Sequence, residues 1–588
     1  MQGHNPNKIP FIPESAPFTA EQRQWLNGYL AGLFSNAQAM PGDTSATPAL
    51  PAKPVTILYG SQTGTAEGVA KKAMKEAGKR GLAPKVVDMA DFQTVDFAKE
   101  ENVLVITSTY GDGDPPDNAL GFWNFLRSEA APALAHLSFS VLALGDTSYS
   151  AFCQFGKNCD ETFEKLGAKR IHPRVDCDVD YESPAGHWMQ NVLAALASAA
   201  DAAAPATAGI AAETGYSKKN PFPARLITNR RLNGDNSGKE VRHYEILLAG
   251  SDLAYEAGDA LGVMPANCDD LVNDVLAAIS CDGEEAVKTS HGVEMPLRLA
   301  LEQHYDITKP SPDLLKAAAA RGTAGGALAA LLDQQRRDDL QKWLWGREVI
   351  DVIAGLEKPF SAGELICLLK KLQPRLYSIS SSPKAHPGEV HLTVAAVRYD
   401  GHCRKRKGVC STFLADRCAE STRVPVYIQT SQGFRLPSDG NAPVIMCGPG
   451  TGIAPFRAFL EEREVTGAKG KNWLFFGDQK RATDFLYREQ LEAWRAGGHL
   501  ARLDLAFSRD QEEKVYVQHR MLENAGELWN WLESGAHFYV CGDASRMAKD
   551  VDSALHRIAQ TAGGLSPDAA TAYIQKLKSG KRYQRDVY

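Results

Sequence analysis

Three short loops bring hydroxyls, glycines and aromatic rings together at spacings that suit a flat, phosphorylated ligand. GSQTGTAE (60–67) follows an apolar run and opens a helical pattern. Its Ser61, Thr63 and Thr65 carry hydroxyls, and Gly64 lets the backbone close in. The helix start adds free N–H groups and a partial positive charge. That chemistry suits a monophosphate; a triphosphate-binding P-loop requires a Gly-Lys-Ser/Thr that is missing here. STYGDGDPPDNA (108–119) and LGDTSYSAFCQFGK (144–157) contribute one ring each, Tyr110 and Tyr149. Two rings on one sheet edge suffice to sandwich a heterocycle.

Further candidates lie in the second half of the chain. RLYSISSSP (375–383) sets an Arg, an aromatic and a Ser in one short strand, and RKGVCSTFLADR (406–417) offers Gly408 and a helix starting near Ser411, another anion site. CGPGTGIAPFR (447–457) carries Gly448, Gly450 and Gly452, with Pro455 where a dinucleotide fingerprint has its last Gly. SRDQEEKVYVQ (508–518) gathers Ser508, Arg509, Lys514, Tyr516 and Gln518. Two cations and a hydroxyl suit a dianionic 2′-phosphate, with a ring to stack on adenine. An NAD site would instead want an acid on the ribose, and Asp478 stands about where such an acid belongs. FYVCGDASRMAKDV (538–551) puts Cys541 at a strand end, and the chain stops on KRYQRDVY, an aromatic Tyr588 two residues after Asp586.

These residues need scaffolds, and the sequence pattern supplies three. VTILYGS, KVVDM, NVLVITSTYG, SFSVLALGD and RIHPRVDCD alternate with helical stretches over about 150 residues, which predicts a doubly wound parallel sheet with its ligand at the carboxyl ends of the strands. VRHYEILLAG and HLTVAAVRYD alternate like antiparallel strands and predict a β-barrel, interrupted at 267–371 by an Ala- and Leu-rich helical insertion. From 442 onward VIMCG, WLFFG, DLAFSR and HFYVCG return to strand–helix alternation. The resulting domain reading is an N-terminal amphipathic segment and linker (1–53), a first domain (54–200), a linker (201–217), the barrel with its insertion (218–440) and a last domain (441–588). A net charge of −6 argues against a nucleic-acid partner. The N-terminus has no signal-peptide pattern and no stretch is apolar enough for a bilayer, so no membrane association is expected. Eleven Cys without CxxC pairs read as reduced thiols in a cytoplasm, and no metal site is expected.

In order and spacing these motifs resemble the diflavin reductase family over residues 54–588. The resemblance implies an α/β multidomain chain: a flavodoxin-like FMN domain, an FAD-binding barrel and a Rossmann-like NADP domain. It puts the FMN phosphate on Ser61, Gln62, Thr63, Gly64, Thr65 and Ala66. The isoalloxazine would lie among Ser108, Thr109, Tyr110 and Gly111, and among Leu144, Gly145, Asp146, Thr147, Ser148, Tyr149 and Cys153. Asp112, Asp114 and Asp117 would face a basic redox partner. FAD would meet Arg375 at its pyrophosphate, Tyr377 at the ring and Ser378 near the hydride-accepting nitrogen, with Leu376 as a further contact. Gly408, Val409, Cys410 and Ser411 would also hold the pyrophosphate, with Thr393, Val394, Ala395, Tyr399 and Thr308 as lesser contacts. NADPH would use Gly450, Thr451, Ser508, Arg509, Lys514, Tyr516, Gln518 and Asp550. Cys541 would lie near the nicotinamide's reactive carbon, and the chain end would fold over FAD, with Tyr588 on the ring and Ser378, Cys541 and Asp586 as the catalytic polar group.

VRHYEI, FRLP, KNWLFFG, SRDQEEKVYVQ and the terminal RYQRDVY resemble the branch of that family serving a haem and iron–sulfur subunit that reduces sulfite to sulfide in sulfur assimilation. The implied electron path is NADPH to FAD to FMN to that subunit. Tyr110 departs from the branch, which usually has Gln there, and matches the microsomal type, so a soluble general diflavin reductase serving another haem protein remains the alternative. Residues 18–35 present Trp25, Leu26, Tyr29, Leu30, Leu33 and Phe34 on an amphipathic pattern, and a similar segment in the sulfite branch is linked to self-association. The basic cluster yields the first test: Arg509→Ala should weaken NADPH by about tenfold to a hundredfold, since a charge-assisted contact is worth roughly 1.5–3 kcal/mol, and leave NADH nearly unchanged. An unaltered NADPH/NADH ratio of kcat/KM would mean that the 2′-phosphate is read elsewhere.

Overall fold

The computed structural model describes Thr19 and residues 52–111, 113–147, 151–197, 215–290, 292–321, 325–333, 336–431 and 433–588. Asp112, Ser148, Tyr149, the linker stretch 198–214 and, apart from Thr19, the amphipathic segment lie outside the described residues. Among the described residues no helix is long and apolar enough to cross a membrane.

The first lobe is a parallel sheet in the spatial order Ala83–Asp88, Pro54–Gly60, Asn102–Ser108, Ser138–Leu144 and Lys169–Arg170. All its pairs are parallel. The central strands are continuous apolar runs because helices cover both faces: Val55, Ile57, Leu104 and Ile106 pack on one side, and Leu58, Val103, Val105 and Phe139 on the other. The strand expected at RIHPRVDCD is two, Lys169–Arg170 and Val175–Cys177, both paired to Ser138–Leu144. Pro173, which has no N–H to give a ladder, falls in the break.

The second lobe is antiparallel, in the order Arg375–Ser378, Ala260–Val263, Arg423–Gln429, Phe222–Arg231, Val241–Leu247 and Glu389–Ala395. Ile379, directly after the first of these, bridges Leu392 in the last, so the two edges of the sheet meet. Tyr244, Ile246, Leu261, Val263, Val390 and Leu392 fill its interior. Helices from Asp269–Ala278 to Ala362–Leu368 form the insertion around a core of its own that includes Val272, Leu301, Leu314, Ile350 and Leu365.

The third lobe is a parallel sheet in the order Arg502–Phe507, Asn472–Asp478, Val444–Cys447, His537–Gly542 and Tyr583–Val587. The last of these strands is the chain terminus, which the sequence pattern had not marked as a strand. A dense polar seam joins this lobe to the barrel. Arg457 donates to Ser380 O at 2.6 Å and pairs with Glu461 at 2.7 Å. Tyr487 meets His243 Nδ1 at 2.9 Å and Thr393 Oγ1 at 2.6 Å, and Ser382 N donates to Glu461 at 3.0 Å. His386 and His391 belong to the same network, through Glu461 and Glu389. Burial first and the Arg457 charge second hold His243 and His391 neutral.

The insertion is fastened to the barrel by a buried cation. Arg406 is 1% exposed and pairs with Glu348 at 2.6 Å and Asp351 at 2.5 Å. Arg406→Ala would strand two carboxylates, a loss of about 3–5 kcal/mol for a broken buried pair. Limited proteolysis should then cut the 267–371 insertion in milder denaturant than in the wild-type chain; equal resistance would show that the apolar core of the insertion suffices alone.

Candidate functional site

The first lobe gathers its loops at the carboxyl ends of the strands. Gly64 caps the helix Thr65–Lys79 at φ 85 and brings no side chain of its own to the N-terminal turn. Thr63 and Thr65 hydroxyls lie 3.3 Å apart, and Ala66 N donates to Ser61 Oγ at 3.2 Å. Gln62 is drawn aside: its Nε2 donates to Asp117 at 3.1 Å, and Asp117 N donates to its Oε1 at 3.0 Å. Thr109 N donates to Leu144 O and Phe155 N to Thr109 Oγ1, both at 3.1 Å, which ties the second loop to the third. Thr147 is anchored by Asp178, through its N at 3.0 Å and its hydroxyl at 2.5 Å. Tyr110 is half-buried with an unpartnered buried hydroxyl, and burial lifts its pKa to about 12. Cys153 differs from expectation: at φ 55 its side chain turns inward, wholly buried, and its Sγ donates to Ala143 O at 3.4 Å. Only its backbone remains for a ligand.

In the barrel, alternation along Arg375–Ser378 leaves Leu376 49% exposed and turns Tyr377 toward the interior. Thr308 is occupied by Asp306, to which its Oγ1 donates at 2.6 Å. Val394 packs in the barrel core and Thr393 faces Tyr487, so of that trio Ala395 alone reaches the cavity below. The helix expected near Ser411 begins at Val409, and Ser411 Oγ accepts from Val397 N at 3.1 Å. A Cβ at Gly408 would fall 2.6 Å from Ser411 Oγ, so only glycine fits this turn. Cys410 is buried beneath it.

A cavity of about 1010 Å³ opens between barrel and third lobe. Ala395, Tyr399, Gly450, Thr451, Ser508, Tyr516, Gln518, Asp550 and Tyr588, all named as candidates above, line it. Arg509 and Lys514 are exposed and are not among its wall residues. A Cβ at Gly452 would lie 2.1 Å from Cys541 O, so this glycine permits the loop to meet the adjacent strand end. Asp478 is corrected: it is buried and paired with Lys239 at 2.5 Å, so it is not a free acid for a ribose. Sequence reading missed Lys239 and Arg546, which both line the cavity. Arg546 stood in the quoted FYVCGDASRM stretch, two residues beyond its Ala; Lys239 carried no local signal, since its partner lies 239 residues away.

Beside this cavity the three expected polar residues converge. Parallel register sets Cys541 opposite Asp586. Ser378 Oγ donates to Asp586 Oδ2 at 2.6 Å and Cys541 Sγ donates to the same oxygen at 3.8 Å. Burial raises the Asp586 carboxyl above its ordinary range against the pull of those two donors. Burial, then the Asp586 charge, raises the Cys541 thiol well above its ordinary range, which keeps it a thiol and not a nucleophilic thiolate. Tyr588 N donates to Gly542 O at 3.0 Å and its hydroxyl meets Thr451 Oγ1 at 2.9 Å, while its ring remains 60% exposed as a wall of the cavity.

Three family models match successive stretches of the chain: flavodoxin at residues 57–188, an FAD binding domain at 215–413 and an oxidoreductase NAD-binding domain at 446–553. The sulfite reductase [NADPH] flavoprotein alpha-component of Bacillus subtilis (strain 168) is 48% identical over 582 residues, 97% of this chain and 96% of that one. The protein of the same name from Vibrio cholerae serotype O1 (strain El Tor Inaba N16961) is 46% identical over 577 residues, 97% and 93% of the two chains. That of Shewanella oneidensis is 41% identical over 588 residues, 98% and 96%.

The buried carboxyl sets a pH test. Because its folded pKa is raised, the folded chain keeps the Asp586 proton to higher pH than the unfolded chain, and this group's contribution to stability is lost as pH rises through the raised value. Flavin reduction by NADPH in stopped flow should slow on acidification through that same value. Asp586→Asn should be slower by about tenfold to a hundredfold, lack that acid limb, and be more stable at neutral pH. An acid limb retained in Asp586→Asn would assign it to another group.

Proposed function

The chain belongs to the family of flavoprotein alpha-components of NADPH-sulfite reductase, and we propose that it passes electrons from NADPH through FAD and FMN to a separate haem and iron–sulfur subunit that reduces sulfite. The observation that carries this reading is the convergence of Ser378, Cys541 and Asp586 beside a cavity walled by the Gly450 loop and Tyr588. Bound flavins supply the step from electron pairs to single electrons; the protein supplies binding, orientation and charge.

The residues fit the three groups. For FMN, the helix start at Gly64, with the Thr63 and Thr65 hydroxyls beside it, and the unpartnered Tyr110 hydroxyl are the observations that suit a phosphate and a ring edge. For FAD and NADPH, the cavity of about 1010 Å³ is lined by both the barrel and the third lobe, and Gln518 Oε1 is buried there without a hydrogen-bond partner. Ser508, Tyr516, Lys239 and Arg546 would hold the phosphate and adenine end, with Arg509 reaching the 2′-phosphate from outside the cavity wall. Tyr588 would cover the FAD ring and yield to the nicotinamide. Loss of hydride leaves the nicotinamide ring cationic, and the Asp586 carboxylate, held by Ser378, is placed to favour that charge. Cys541 keeps a proton and orients the same carboxylate. A cytoplasmic location and self-association through residues 18–35 complete the reading.

A second reading, transfer to another haem protein, is favoured by Tyr110 alone. Mixing the purified chain with a purified sirohaem and iron–sulfur subunit decides between them: NADPH-dependent sulfide should form only with both present. Thr63→Ala should release FMN, abolish sulfide formation and leave NADPH–ferricyanide reduction through FAD. Cytochrome reduction without sulfide in the mixed assay would support the second reading.

A further inference from the structure

FRLP (434–437) lies between the barrel and the third lobe, outside the cavity wall. Its two large side chains divide between those lobes. Phe434, 2% exposed, packs in the third lobe, its ring centre 5.4 Å from that of Phe459 and its plane edge-on to Tyr539. Arg435 turns to the barrel, where its Nη2 donates to Asp259 Oδ1. The Asp259 side chain is buried and also accepts from Ser431 N and Glu256 N, both at 2.8 Å. The approach is close: a Cβ at Gly258, whose φ is +101, would fall 2.1 Å from Phe434 O.

With its side chain committed to the barrel, Arg435 gives its peptide groups to the terminal strand. Its N–H donates to Gln584 Oε1 at 2.8 Å. Its carbonyl accepts from Gln584 Nε2 at 3.2 Å and from the Tyr539 hydroxyl at 2.7 Å. Tyr539 and Gln584 are register partners, so two adjacent strands meet this loop at one oxygen. Gln584 Nε2 also donates to Lys581 O at 2.7 Å, which fixes which way the amide faces. Alternation along the strand puts Gln584 and Asp586 on one face and Arg585 on the other, where it pairs with Asp117 of the first lobe. Asp259 also stands next to the barrel's half of the site. Ile379 N, directly after Ser378, donates to Asp259 O at 3.0 Å, and Ser378 pairs with Ala260, directly after Asp259. One barrel residue is therefore tied to both sides of the Ser378–Asp586 hydrogen bond.

We propose that Arg435 and Gln584 are positioning residues for hydride transfer: Asp259 seats Arg435, the Arg435 peptide clamps Gln584, and the clamp holds Asp586 against Ser378. The proposal rests on the reading that NADPH reduces a flavin beside Ser378. The backbone ladder fixes the terminal strand within its sheet, and the clamp acts across the face of that sheet, in the direction of the barrel. Neither Arg435 nor Gln584 lines the cavity, so their loss acts on the placement of Asp586 and not on the binding of NADPH.

Hydrogen–deuterium exchange of the full-length chain, read by peptide mass spectrometry, tests the clamp without flavin chemistry. Gln584→Leu loses both bonds to the Arg435 peptide, and its residues 583–588 should exchange about tenfold faster, while 444–447 keep the wild-type rate. Arg435→Ala should loosen the same residues, although the guanidinium it removes lies on Asp259. Arg435→Lys, which keeps a cation there, should recover most of the protection. In stopped flow, Gln584→Leu and Arg435→Ala should each lower the limiting rate of first-flavin reduction about tenfold and leave the half-saturating NADPH concentration unchanged. The isotope effect with NADPH deuterated at the transferred position should rise in both. Either wild-type exchange at 583–588 or a wild-type limiting rate in Gln584→Leu would overturn the proposal. Failure of NADPH to reduce a flavin in the wild-type chain would instead overturn the reading of the site, with exchange still deciding whether the clamp exists.

Discussion

The pairing of Tyr583–Val587 with His537–Gly542 is the interaction on which the site depends. Without it, Asp586 has no fixed place, Ser378 of the barrel has no partner in the third lobe, and Tyr588 is not held beside Thr451. The strand is secured by backbone bonds on one side only, as the edge of a five-stranded parallel sheet. Tyr583, 3% exposed and packed against Phe538, anchors its start. The short apolar anchor and the backbone ladder together let the following four residues carry chemistry instead of core.

Two kinds of lobe contact follow from this arrangement, and they differ in how they respond to solvent. The barrel and the third lobe meet at a buried seam where Arg457 and Glu461, paired on one helix, bond Ser380 O and Ser382 N of the barrel beside neutral His243 and His391. The first lobe is held by carboxylate–cation pairs nearer to water, with Arg585–Asp117 the most buried of them. On the proposed function, hydride transfer, which needs angstrom-scale placement, would fall at the firm seam, and delivery of electrons to another protein at the softer one.

Much of this was legible in the sequence because phosphate and dinucleotide binding restrict residue type. Gly64 at φ 85 and Gly452 against Cys541 O are positions where a side chain is excluded, so those glycines stand out locally. Parallel strands such as Asn102–Ser108 are buried on both faces and read as unbroken apolar runs. The terminal strand was missed because Gln584, Arg585 and Asp586 give it no apolar alternation. The side-chain direction of Cys153 depends on a left-handed backbone that its neighbours do not announce. Arg585 and Lys239 were invisible for a different reason: their partners lie 468 and 239 residues away, and no local pattern encodes such a pair.

The central claim is that the terminal strand holds Asp586 in place while Tyr588 alone gives way to the nicotinamide. A crystal structure of the full-length chain with NADP⁺ bound tests it most directly. The account predicts Asp586 still hydrogen-bonded to Ser378, residues 583–587 still paired with 537–542, and the Tyr588 ring displaced from Thr451. A seated nicotinamide with Tyr588 unmoved, or with the terminal strand detached and Asp586 swung away, would contradict it.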